Sequence, residues 1–353
     1  MSVPLSTAPP LTSKTPPREP TPPSIEVTPT MPCIFAAPVQ DATGDASWRQ
    51  ISTPTAPSLL PSTPISIITW NIDTFAYHSG ARMEAILGHI SFTLPSPPSH
   101  TIVLFQEVDW ESHVVLFRNE WIRENFQISH LESPESVRYF TVSLATRDVP
   151  VIAVRRVPYE RTQMGRDVLF LDVALQGDPS ILRVGNTHLE SLPHPGVRFR
   201  PVQLAMAAEM MKEGDIRAGV IAGDMNAICP EDDDFPKSCG LGDVWELQKG
   251  TEETEGYTWG YQPPCRFSPG RLDKVLFRGD FAFDEVEEGR LLRRIGVGLR
   301  FEEPTGEVSD GSKSDDDDGG DDDDTTEWAS DHYGLWVKVR LSRKGSGDMR
   351  GRD

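Results

Sequence analysis

The sequence predicts one α/β domain that follows a leader without a core of its own. β-branched, strand-like runs recur from Ile65 onward, and stretches with helical character lie between them. This alternation continues for about 250 residues, the size of one large domain in which sheets and helices share a core. The leader, residues 1–64, holds about half of the 31 prolines of the chain, mixed with Ser and Thr.

We expect eight strands and three helices in this domain. The run that starts at Ile65 ends in Trp70-Asn71 and predicts a buried strand. The other predicted strands cover residues 101–105, 151–154, 169–175, 182–186, 220–222, 273–277 and 334–341. The predicted helices cover residues 82–90, 112–125 and 201–213. We place Pro201 in the first turn of the third helix, where proline is favoured because the first N–H groups of a helix have no partner.

Three segments have compositions that predict disorder. The prolines of the leader favour extended conformers that bury too little surface to offset the entropy of ordering. The alternative for the leader is a tail whose P-x-x-P-like stretches bind protein partners. Residues 302–327 carry thirteen acids and one base, so we expect a solvated loop inside the domain, with weak, diffuse cation binding as the alternative. The basic residues 343–353 form a disordered tail after the domain, which we place at residues 65–342.

Composition excludes some classes of protein and leaves nucleic-acid binding open. No stretch approaches the roughly 18 apolar residues that a membrane-spanning helix needs. The four cysteines lack disulfide-framework or zinc spacing, so we expect reduced thiols inside a cell. The net charge of −20 first argues against binding by bulk positive charge. Most of that charge, however, lies in the acidic segment, and the rest of the predicted domain is much closer to neutral.

Compact polar groups stand at the ends of several predicted strands. They are Trp70-Asn71, Gln106-Glu107, Thr187-His188-Leu189-Glu190-Ser191, Gly223-Asp224-Met225-Asn226 and Ser330-Asp331-His332. Taken alone, each has an ordinary explanation: G-D-x-N is typical of a turn, S-D-H of a helix cap and a lone glutamate of a surface acid. Because strand ends in a packed α/β core converge on one rim, the combination predicts a metal-assisted hydrolytic site.

Two acids have the chemistry that hydrolysis of a phosphodiester requires. Glu107 offers hard oxygen ligands to Mg²⁺, which takes few carboxylates and completes its coordination with water and substrate phosphate. Mn²⁺ is the expected substitute. Asp224 is predicted to orient or deprotonate the attacking water, opposite the leaving group.

The remaining polar groups suit stabilisation of the transition state. We expect Asn71, Asn226 and His332 to hydrogen-bond the non-bridging phosphate oxygens as negative charge builds up on them. Asp273, in the Arg271-Leu272-Asp273 sequence, is predicted to orient His332 and keep it protonated. A Gly-rich phosphate loop, a Ser-His-Asp order and a His/Cys metal cluster are absent from the sequence.

The ordered set W-N, Q-E, T-H-L-E-S, G-D-x-N, R-L-D and S-D-H resembles the endonuclease/exonuclease/phosphatase superfamily, from about Ile65 to Leu341. The resemblance implies a four-layer α/β sandwich, in which two mixed β-sheets are flanked by helices and the active site lies on one rim. The segments T-W-N-I-D at 69–73, D-V-W-E at 243–246 and Y-T-W at 257–259 resemble the tyrosyl-DNA phosphodiesterases within it. That finer resemblance implies Mg²⁺-dependent hydrolysis of the bond between a tyrosine and a DNA 5′-phosphate, which repairs topoisomerase-linked breaks.

The resemblance also implies roles for residues that the chemistry alone leaves unassigned. Asp331 would lie near the metal that Glu107 binds. His188 and Ser191 would line the phosphate pocket, and Trp259 would line the DNA groove. The single-residue alternative for Trp259 is packing in the core.

One position departs from the pattern. The tyrosyl-DNA enzymes usually have an arginine two residues after the G-D-x-N asparagine, where this chain has Ile228. Either Arg271 or Arg266 supplies the cation at the substrate instead, or the affinity for DNA ends is lower. The expected partner is DNA with 5′-tyrosyl or other protein-blocked ends, the expected state is a monomer without membrane contact, and the expected location is the nucleus and also the cytoplasm.

Two alternatives stay open at this stage. The same chemistry serves nucleases and phosphatases of the superfamily that act on RNA, abasic DNA or inositol and lipid phosphates. A non-catalytic interaction protein, with the leader and the acidic segment as docking segments, is the alternative from a different class.

Overall fold

The architecture of the chain comes from a computed structural model. The described residues are 36–40, 46–51, 54, 56–130, 137–248, 250–303 and 326–342. Most of the leader, residues 304–325 and the tail from residue 343 lie outside the described residues. The prediction of disorder for these segments stays a prediction. No helix among the described residues has the length and apolar character to cross a membrane.

Strands and helices alternate along the chain, as the sequence predicts. The strands are β1 Ala36–Gln40, β2 Ala46–Gln50, β3 Ile65–Asn71, β4 Thr101–Val108, β5 Phe126–Ile128, β6 Phe140–Thr146, β7 Val151–Pro158, β8 Asp167–Ala174, β9 Ile181–His188, β10 Ile216–Asp224, β11 Gly242–Asp243, β12 Asp273–Arg278, β13 Phe281–Asp284, β14 Leu292–Ile295, β15 Arg300–Glu302, β16 Thr326–Trp328 and β17 Gly334–Leu341. The α-helices are α1 Ser79–Thr93, α2 Trp110–Arg118, α3 Glu120–Asn125, α4 Gly196–Met210 and α5 Phe235–Ser238.

The described strands form two large mixed sheets. The first has nine strands in the order β13-β17-β3-β4-β6-β5-β1-β2, with β14 also paired to β17. The second has six strands in the order β11-β12-β10-β9-β8-β7. Each sheet contains one parallel pair, β3 with β4 and β9 with β10, and antiparallel pairs surround it. The carboxyl ends of both parallel pairs carry polar residues that the sequence predicts to be site residues.

Apolar residues on alternating faces of the strands create the layers. Ile67 of β3 points into the core between the sheets, with Val184 of β9. Its neighbour Ile68 points to the other face, where it packs with Ile86 of α1. On the far side of the second sheet, α4 packs its own apolar residues against β8 and β10. The order helix, sheet, sheet, helix confirms the predicted four-layer sandwich.

The predicted start of order at residue 65 was wrong. Strands β1 and β2 lie within the predicted leader and extend the edge of the first sheet, where β1 pairs with β5. Trp48 anchors this hairpin, since its indole N–H donates to the Phe117 carbonyl at 3.1 Å. Pairing at a sheet edge uses backbone hydrogen bonds, so a segment without apolar periodicity can join it.

Two helix boundaries also differ from the prediction. The helix expected over residues 112–125 is two helices, because the Asn119 side chain accepts a hydrogen bond from the Ile122 N–H and so caps α3. The helix expected to begin at Pro201 begins at Gly196, and Pro201 lies inside α4. The domain resumes at Thr326, where β16 pairs with β15 at the two ends of the acidic insertion.

A buried histidine lies under the first sheet, away from the polar strand ends. His113 of α2 is fully buried, and its ring lies between Phe117 and Phe140, at centroid distances of 4.4 and 5.1 Å. Burial lowers the pKa of His113 to about 4, from an ordinary value of 6.5. The unfolded chain therefore binds a proton there at a pH where the folded chain does not.

Acidification should destabilise the fold through His113. Between pH 6.5 and pH 4 the unfolded state takes up the proton first, so the free energy of unfolding falls as the pH falls, by at most about 3 kcal/mol from this residue. We expect His113→Phe to lose less stability than wild type between pH 7 and pH 4.5 in urea unfolding. Substitution of the exposed His194 by Phe is the control. An unchanged pH slope in His113→Phe would contradict the assignment.

Candidate active site

The polar strand ends meet at one rim of the sandwich. The strand register places His188, Asp224 and Asp273 side by side across β9, β10 and β12. In the facing sheet, Asn71 of β3 lies beside Gln106 of β4. The residues that come together are Asn71, Glu107, His188, Asp224, Asn226, Asp273, Asp331 and His332, which we call the rim cluster. The predicted convergence of strand ends is confirmed.

Asn71 joins the two sheets at the rim. Its amide nitrogen donates to Asp224 Oδ2 at 3.0 Å and lies 3.3 Å from Glu107 Oε1. All three side chains are buried. The Asn71 amide therefore bridges the carboxylate of the first sheet and that of the second.

Asp224 accepts hydrogen bonds from several sides. The backbone N–H of Asn226 donates to Oδ1 at 2.8 Å, and His188 Nε2 lies 3.2 Å from Oδ2. His332 Nε2 lies 3.9 Å from the same oxygen. Burial alone would raise the pKa of Asp224, but the hydrogen bond from His188, the charge of His332 and the Asn226 N–H hold it well below its usual range. The carboxylate is therefore ionised and able to orient a water.

His332 has carboxylates on both sides of its ring. Its Nδ1 lies 2.7 Å from Asp273 Oδ2, and its Nε2 lies 3.8 Å from Asp331 Oδ1. Burial alone would lower the pKa of His332, but the charges of Asp273, Asp331 and Asp224 raise it well above its ordinary value. The ring is therefore an imidazolium whose Nε2–H points toward the middle of the rim cluster.

A buried arginine fixes the second histidine. Arg166 Nη1 lies 2.7 Å from His188 Nδ1, and both side chains are buried. Burial and then the Arg166 charge lower the pKa of His188. Because a guanidinium can only donate, His188 Nδ1 must accept, and the remaining proton sits on Nε2 facing Asp224. Sequence reasoning missed Arg166, since it comes from the loop before β8, outside the polar strand ends.

The S-D-H segment docks on the end of β3. The Ser330 hydroxyl donates to the Asn71 carbonyl at 2.6 Å and accepts from the His332 N–H at 3.0 Å. The Trp70 indole donates to the His332 carbonyl at 3.0 Å. Trp259 donates from its indole to Asp331 Oδ2 at 2.8 Å. Trp259 is thus half-buried beside the rim cluster, and the core-packing alternative does not describe it.

The backbone at the rim adopts conformations that are rare elsewhere. Asp73, Glu107 and Asn226 have positive φ angles of 56°, 61° and 47°. Residues other than glycine are uncommon in this region, which costs of order 1–3 kcal/mol each and concentrates at functional sites. Gly223 has a φ of 144°, and a Cβ there would lie 1.8 Å from the Thr187 carbonyl oxygen. The glycine of G-D-x-N is required because the neighbouring strand approaches so closely.

The rim cluster has the ligand chemistry of a divalent-cation site. Glu107 Oε2 accepts the Thr74 N–H at 3.0 Å, which leaves lone pairs on both carboxylate oxygens. Asp224, Asp273 and His332 have ligand atoms within 4.8 Å of one another. In that trio, however, His332 Nδ1 already bonds Asp273, so we interpret it as a proton-holding network. Excess carboxylate charge beside Glu107 fits a hard cation such as Mg²⁺.

Two predicted substrate contacts do not reach the rim cluster. The Arg271 guanidinium donates to Asp243, whose side chain is 3% exposed, so the charge of Arg271 is already paired. Ser191 is half-buried in the loop after β9, and among the described residues no hydrogen bond joins its hydroxyl to the rim cluster. Ile228 is 37% exposed, and Arg266 lies over the Phe267 ring at 5.0 Å.

A second polar contact, beneath the rim cluster, ties the sheets together. Asn186 of β9 is fully buried, and its amide nitrogen donates to the Phe105 and Val142 carbonyls, both at 3.0 Å. Its amide oxygen accepts from Gln106 Nε2 at 2.8 Å. A polar residue at the end of an otherwise apolar strand was the signal for this contact, and sequence reasoning did not use it.

Glu190 of the T-H-L-E-S sequence organises the loop that carries Arg166. It is fully buried and accepts from the Thr162 hydroxyl at 2.7 Å and the Gln163 N–H at 2.9 Å. Gln203 of α4 donates to the same carboxylate at 3.3 Å. Glu190 thus holds residues 160–166 against the second sheet through neutral donors.

The fold and the rim cluster place the chain in a known class of α/β proteins. Residues 68–332 match the model of the Endonuclease/Exonuclease/phosphatase family, and the chain belongs to this family.

Curated relatives give a narrower likeness. Tyrosyl-DNA phosphodiesterase 2 from Homo sapiens is 28% identical over 247 residues, which cover 65% of this chain and 60% of the human protein. The Xenopus laevis protein of the same name is 27% identical over 234 residues, 63% of this chain and 58% of the relative. The chain therefore matches less than two thirds of the length of these relatives.

Solved structures agree in fold. The crystal structure of D. rerio TDP2 complexed with single strand DNA product has a TM-score of 0.58 and 19% identity, over 79% of this chain and 100% of that one. An endonuclease/exonuclease/phosphatase from Bacteroides vulgatus has a TM-score of 0.54 and 12% identity, over 79% of this chain and 100% of that one. At these identities the likeness concerns the fold alone.

Glu190→Gln should loosen the loop of residues 160–166. A neutral amide accepts the Thr162 and Gln163 donors more weakly and places an NH₂ group near them, so we expect a loss of about 2–3 kcal/mol in the free energy of unfolding. Hydrogen exchange should rise in residues 160–166. The control is Glu209→Gln, an exposed acid paired with Lys212, which should change stability by less than about 1 kcal/mol. Equal effects of the two substitutions would contradict the role of Glu190.

Proposed function

We propose that the chain is a divalent-cation-dependent phosphodiesterase that hydrolyses the bond between a tyrosine and the 5′-phosphate of DNA. The observation that carries the chemistry is the ionised Asp224, held by His188 and Asn71 opposite the imidazolium of His332. The tyrosyl-DNA substrate is supported by the relatives named tyrosyl-DNA phosphodiesterase 2.

Asp224 orients the attacking water and accepts its proton. Its low pKa favours the ionised form at neutral pH. His188 cannot take that proton readily, because its Nδ1 accepts from Arg166 and its Nε2 already carries a proton toward Asp224. His188 therefore acts by holding the carboxylate in position.

The imidazolium of His332 offers its Nε2–H to the charge that develops on the phosphate. The amide groups of Asn71 and Asn226 donate to Asp224 and so hold this carboxylate in position. A preorganised donor such as His332 contributes about 10²–10³-fold to the rate. Asp273 contributes indirectly, because its carboxylate fixes the orientation and charge of His332.

Mg²⁺ would be held by Glu107 and Asp331, with Mn²⁺ as a substitute. When bound, the cation supplies charge neutralisation at the phosphate oxygens. Glu107 is held in place by Thr74 and Asn71, so its carboxylate needs little reorganisation to bind a cation.

A cavity beside the rim cluster suits an aryl leaving group. It has a volume of about 210 Å³ and includes Tyr139, Met164, Arg166 and His188 in its lining. The Arg166 guanidinium lies 5.3 Å from the centre of the Tyr139 ring. A phenolate, with a reference pKa of about 10, leaves without a dedicated general acid, and a cation at the cavity wall stabilises its charge.

DNA is the proposed partner on the opposite side of the rim cluster. Trp259 stands beside Asp331 there, with Phe267 at a ring distance of 6.3 Å and Arg266 over Phe267. Aromatic rings with an adjacent cation are typical of single-stranded nucleic-acid contacts. Repair of topoisomerase-linked breaks, a monomeric state and a nuclear location follow as parts of this proposal.

Purified protein should release a 5′-phosphate end from an oligonucleotide with a 5′-tyrosine in the presence of Mg²⁺. We expect Asp224→Asn and His332→Ala to lower kcat by about 10²–10⁴-fold, because they remove the base and a transition-state donor. Chelation of divalent cations should abolish the reaction, and Glu107→Gln should raise the Mg²⁺ concentration that it needs.

The matched control is Asp280→Asn, an exposed aspartate in the turn between β12 and β13, which should keep wild-type activity. Wild-type rates in Asp224→Asn would contradict the assignment of the site. Absence of a 5′-phosphate product with the wild type, while a phosphodiester such as bis(p-nitrophenyl) phosphate is cleaved, would contradict the substrate and leave the chemistry intact.

A further inference from the structure

Two large aromatic side chains stand exposed next to the rim cluster. Phe75 is 59% exposed and Tyr77 is 82% exposed, in the segment between β3 and α1. That segment starts directly after Asn71, whose amide joins the two sheets. Exposed aromatic rings at the edge of a catalytic site are candidates for substrate contacts.

The segment is held rigidly by the rim cluster itself. The Thr74 N–H donates to Glu107, and the Phe75 N–H donates to Asp73 Oδ1 at 3.1 Å. Asp73 in turn is bound by the buried Arg82, whose Nη2 lies 3.0 Å from Asp73 Oδ2. The Phe75 ring therefore projects from a fixed loop, and binding to it costs little ordering of the backbone.

A continuous series of ring and cation contacts runs from Phe75 to the catalytic carboxylate. Arg138 lies 4.8 Å from the centre of the Phe75 ring, and the Phe75 and Tyr139 rings are 5.5 Å apart. Tyr139 lies against Arg166, which bonds His188 beside Asp224. Phe75 and Arg138 thus lie outward from the leaving-group cavity, along the wall that Tyr139 begins.

We propose that Phe75 and Arg138 form an outer subsite for the polypeptide that remains attached to the tyrosine leaving group. This inference rests on the proposed function and extends it, since it makes a protein-linked DNA end, rather than a single phosphotyrosine, the substrate that the site fits best. The Phe75 ring contacts apolar side chains and peptide groups on either side of the tyrosine. Arg138 attracts an acidic side chain in the same peptide.

Geometry and charge favour a polypeptide over DNA at this place. In-line displacement puts the leaving group opposite the attacking water, and the nucleotide leaves the phosphorus in a direction different from both. The aryl cavity lies on the His188 side, while Trp259 and Phe267 lie on the Asp331 side. A tyrosine in the cavity continues outward into its own polypeptide, past Tyr139 and toward Phe75. Among the described residues no carboxylate forms a salt bridge with the exposed Arg138, so its charge is available to a partner.

The first test compares leaving groups of two sizes on one oligonucleotide. One substrate carries a 5′-linked tyrosine alone, and the other carries the same tyrosine within a ten-residue peptide. We expect Phe75→Ala to lower kcat/KM for the peptide substrate by about tenfold, mainly through KM, and to leave the tyrosine substrate within about twofold. The control is Phe92→Ala, a 90% exposed phenylalanine near the far end of α1, which should change neither.

The second test reverses a charge. With peptides that carry either two glutamates or two lysines next to the tyrosine, wild type should prefer the acidic peptide. Arg138→Glu should invert that preference, with a change of about tenfold in the ratio of kcat/KM values. The comparison is a ratio within one variant, so it holds even where the substitution lowers stability.

The outcomes separate this inference from the proposed function. A wild type that fails to cleave the tyrosine substrate overturns both. Normal cleavage of that substrate, with equal losses in Phe75→Ala for the two leaving groups, overturns the subsite alone. The loss of kcat/KM in Phe75→Ala could instead grow with the length of the oligonucleotide and not with that of the peptide. That result assigns the surface to DNA and also overturns the polypeptide subsite.

Discussion

The rim cluster depends on one buried amide that fixes the two sheets relative to each other. Asn186 belongs to the second sheet, yet its amide nitrogen donates to carbonyls of β4 and β6 in the first. Its oxygen accepts from Gln106, the residue that precedes Glu107. In the apolar space between the sheets an unpaired amide would cost 1–3 kcal/mol or more, so the sheets are held where all of these groups are satisfied. The candidate metal ligand Glu107 and the candidate base Asp224 come from different sheets. The Asn186 contact therefore fixes the distance between them.

Beside that contact, the surrounding charges give neighbouring residues of the rim cluster different protonation states. Asp224 stays ionised because two imidazoles and backbone and amide donors surround it, whereas His332 becomes an imidazolium because three carboxylates surround it. Arg166 keeps His188 in the tautomer that donates to Asp224. Different environments therefore give neighbouring residues the separate roles that hydrolysis needs. The same Arg166 also lines the cavity beside the rim cluster in which the proposed leaving group would bind.

Much of this could be predicted from the sequence, because strand ends obey general rules. Apolar, β-branched runs predict β3, β4, β9 and β10, and the polar residues that follow them must meet at one rim. Asp273 and His332 were predicted as a pair, and they lie 2.7 Å apart. The order of these clusters resembles the family, and that resemblance implied the four-layer architecture.

The features that sequence reasoning missed depend on contacts between segments that are distant in the chain. Such contacts leave little signal in the local sequence. Arg166 lies in a loop with no periodicity, and only the packing of that loop on Glu190 brings it to His188. Arg271 was a plausible substrate contact until Asp243 was found beside it. The edge strands β1 and β2 escaped prediction because their pairing relies on backbone hydrogen bonds in a proline-rich segment.

The turnover of Asn186→Leu on a 5′-tyrosyl oligonucleotide tests most directly whether the Asn186 amide positions the site. It is measured at a temperature where circular dichroism shows that the variant is folded. The reference variant is Ile86→Ala, which removes a buried side chain of α1. It should lower the free energy of unfolding by about 2–5 kcal/mol and leave the contact between the sheets intact. If Asn186 sets the spacing of Glu107 and Asp224, kcat should fall at least about tenfold in Asn186→Leu and stay near wild type in Ile86→Ala. Equal turnover in the two folded variants would contradict the claim that this amide positions the site.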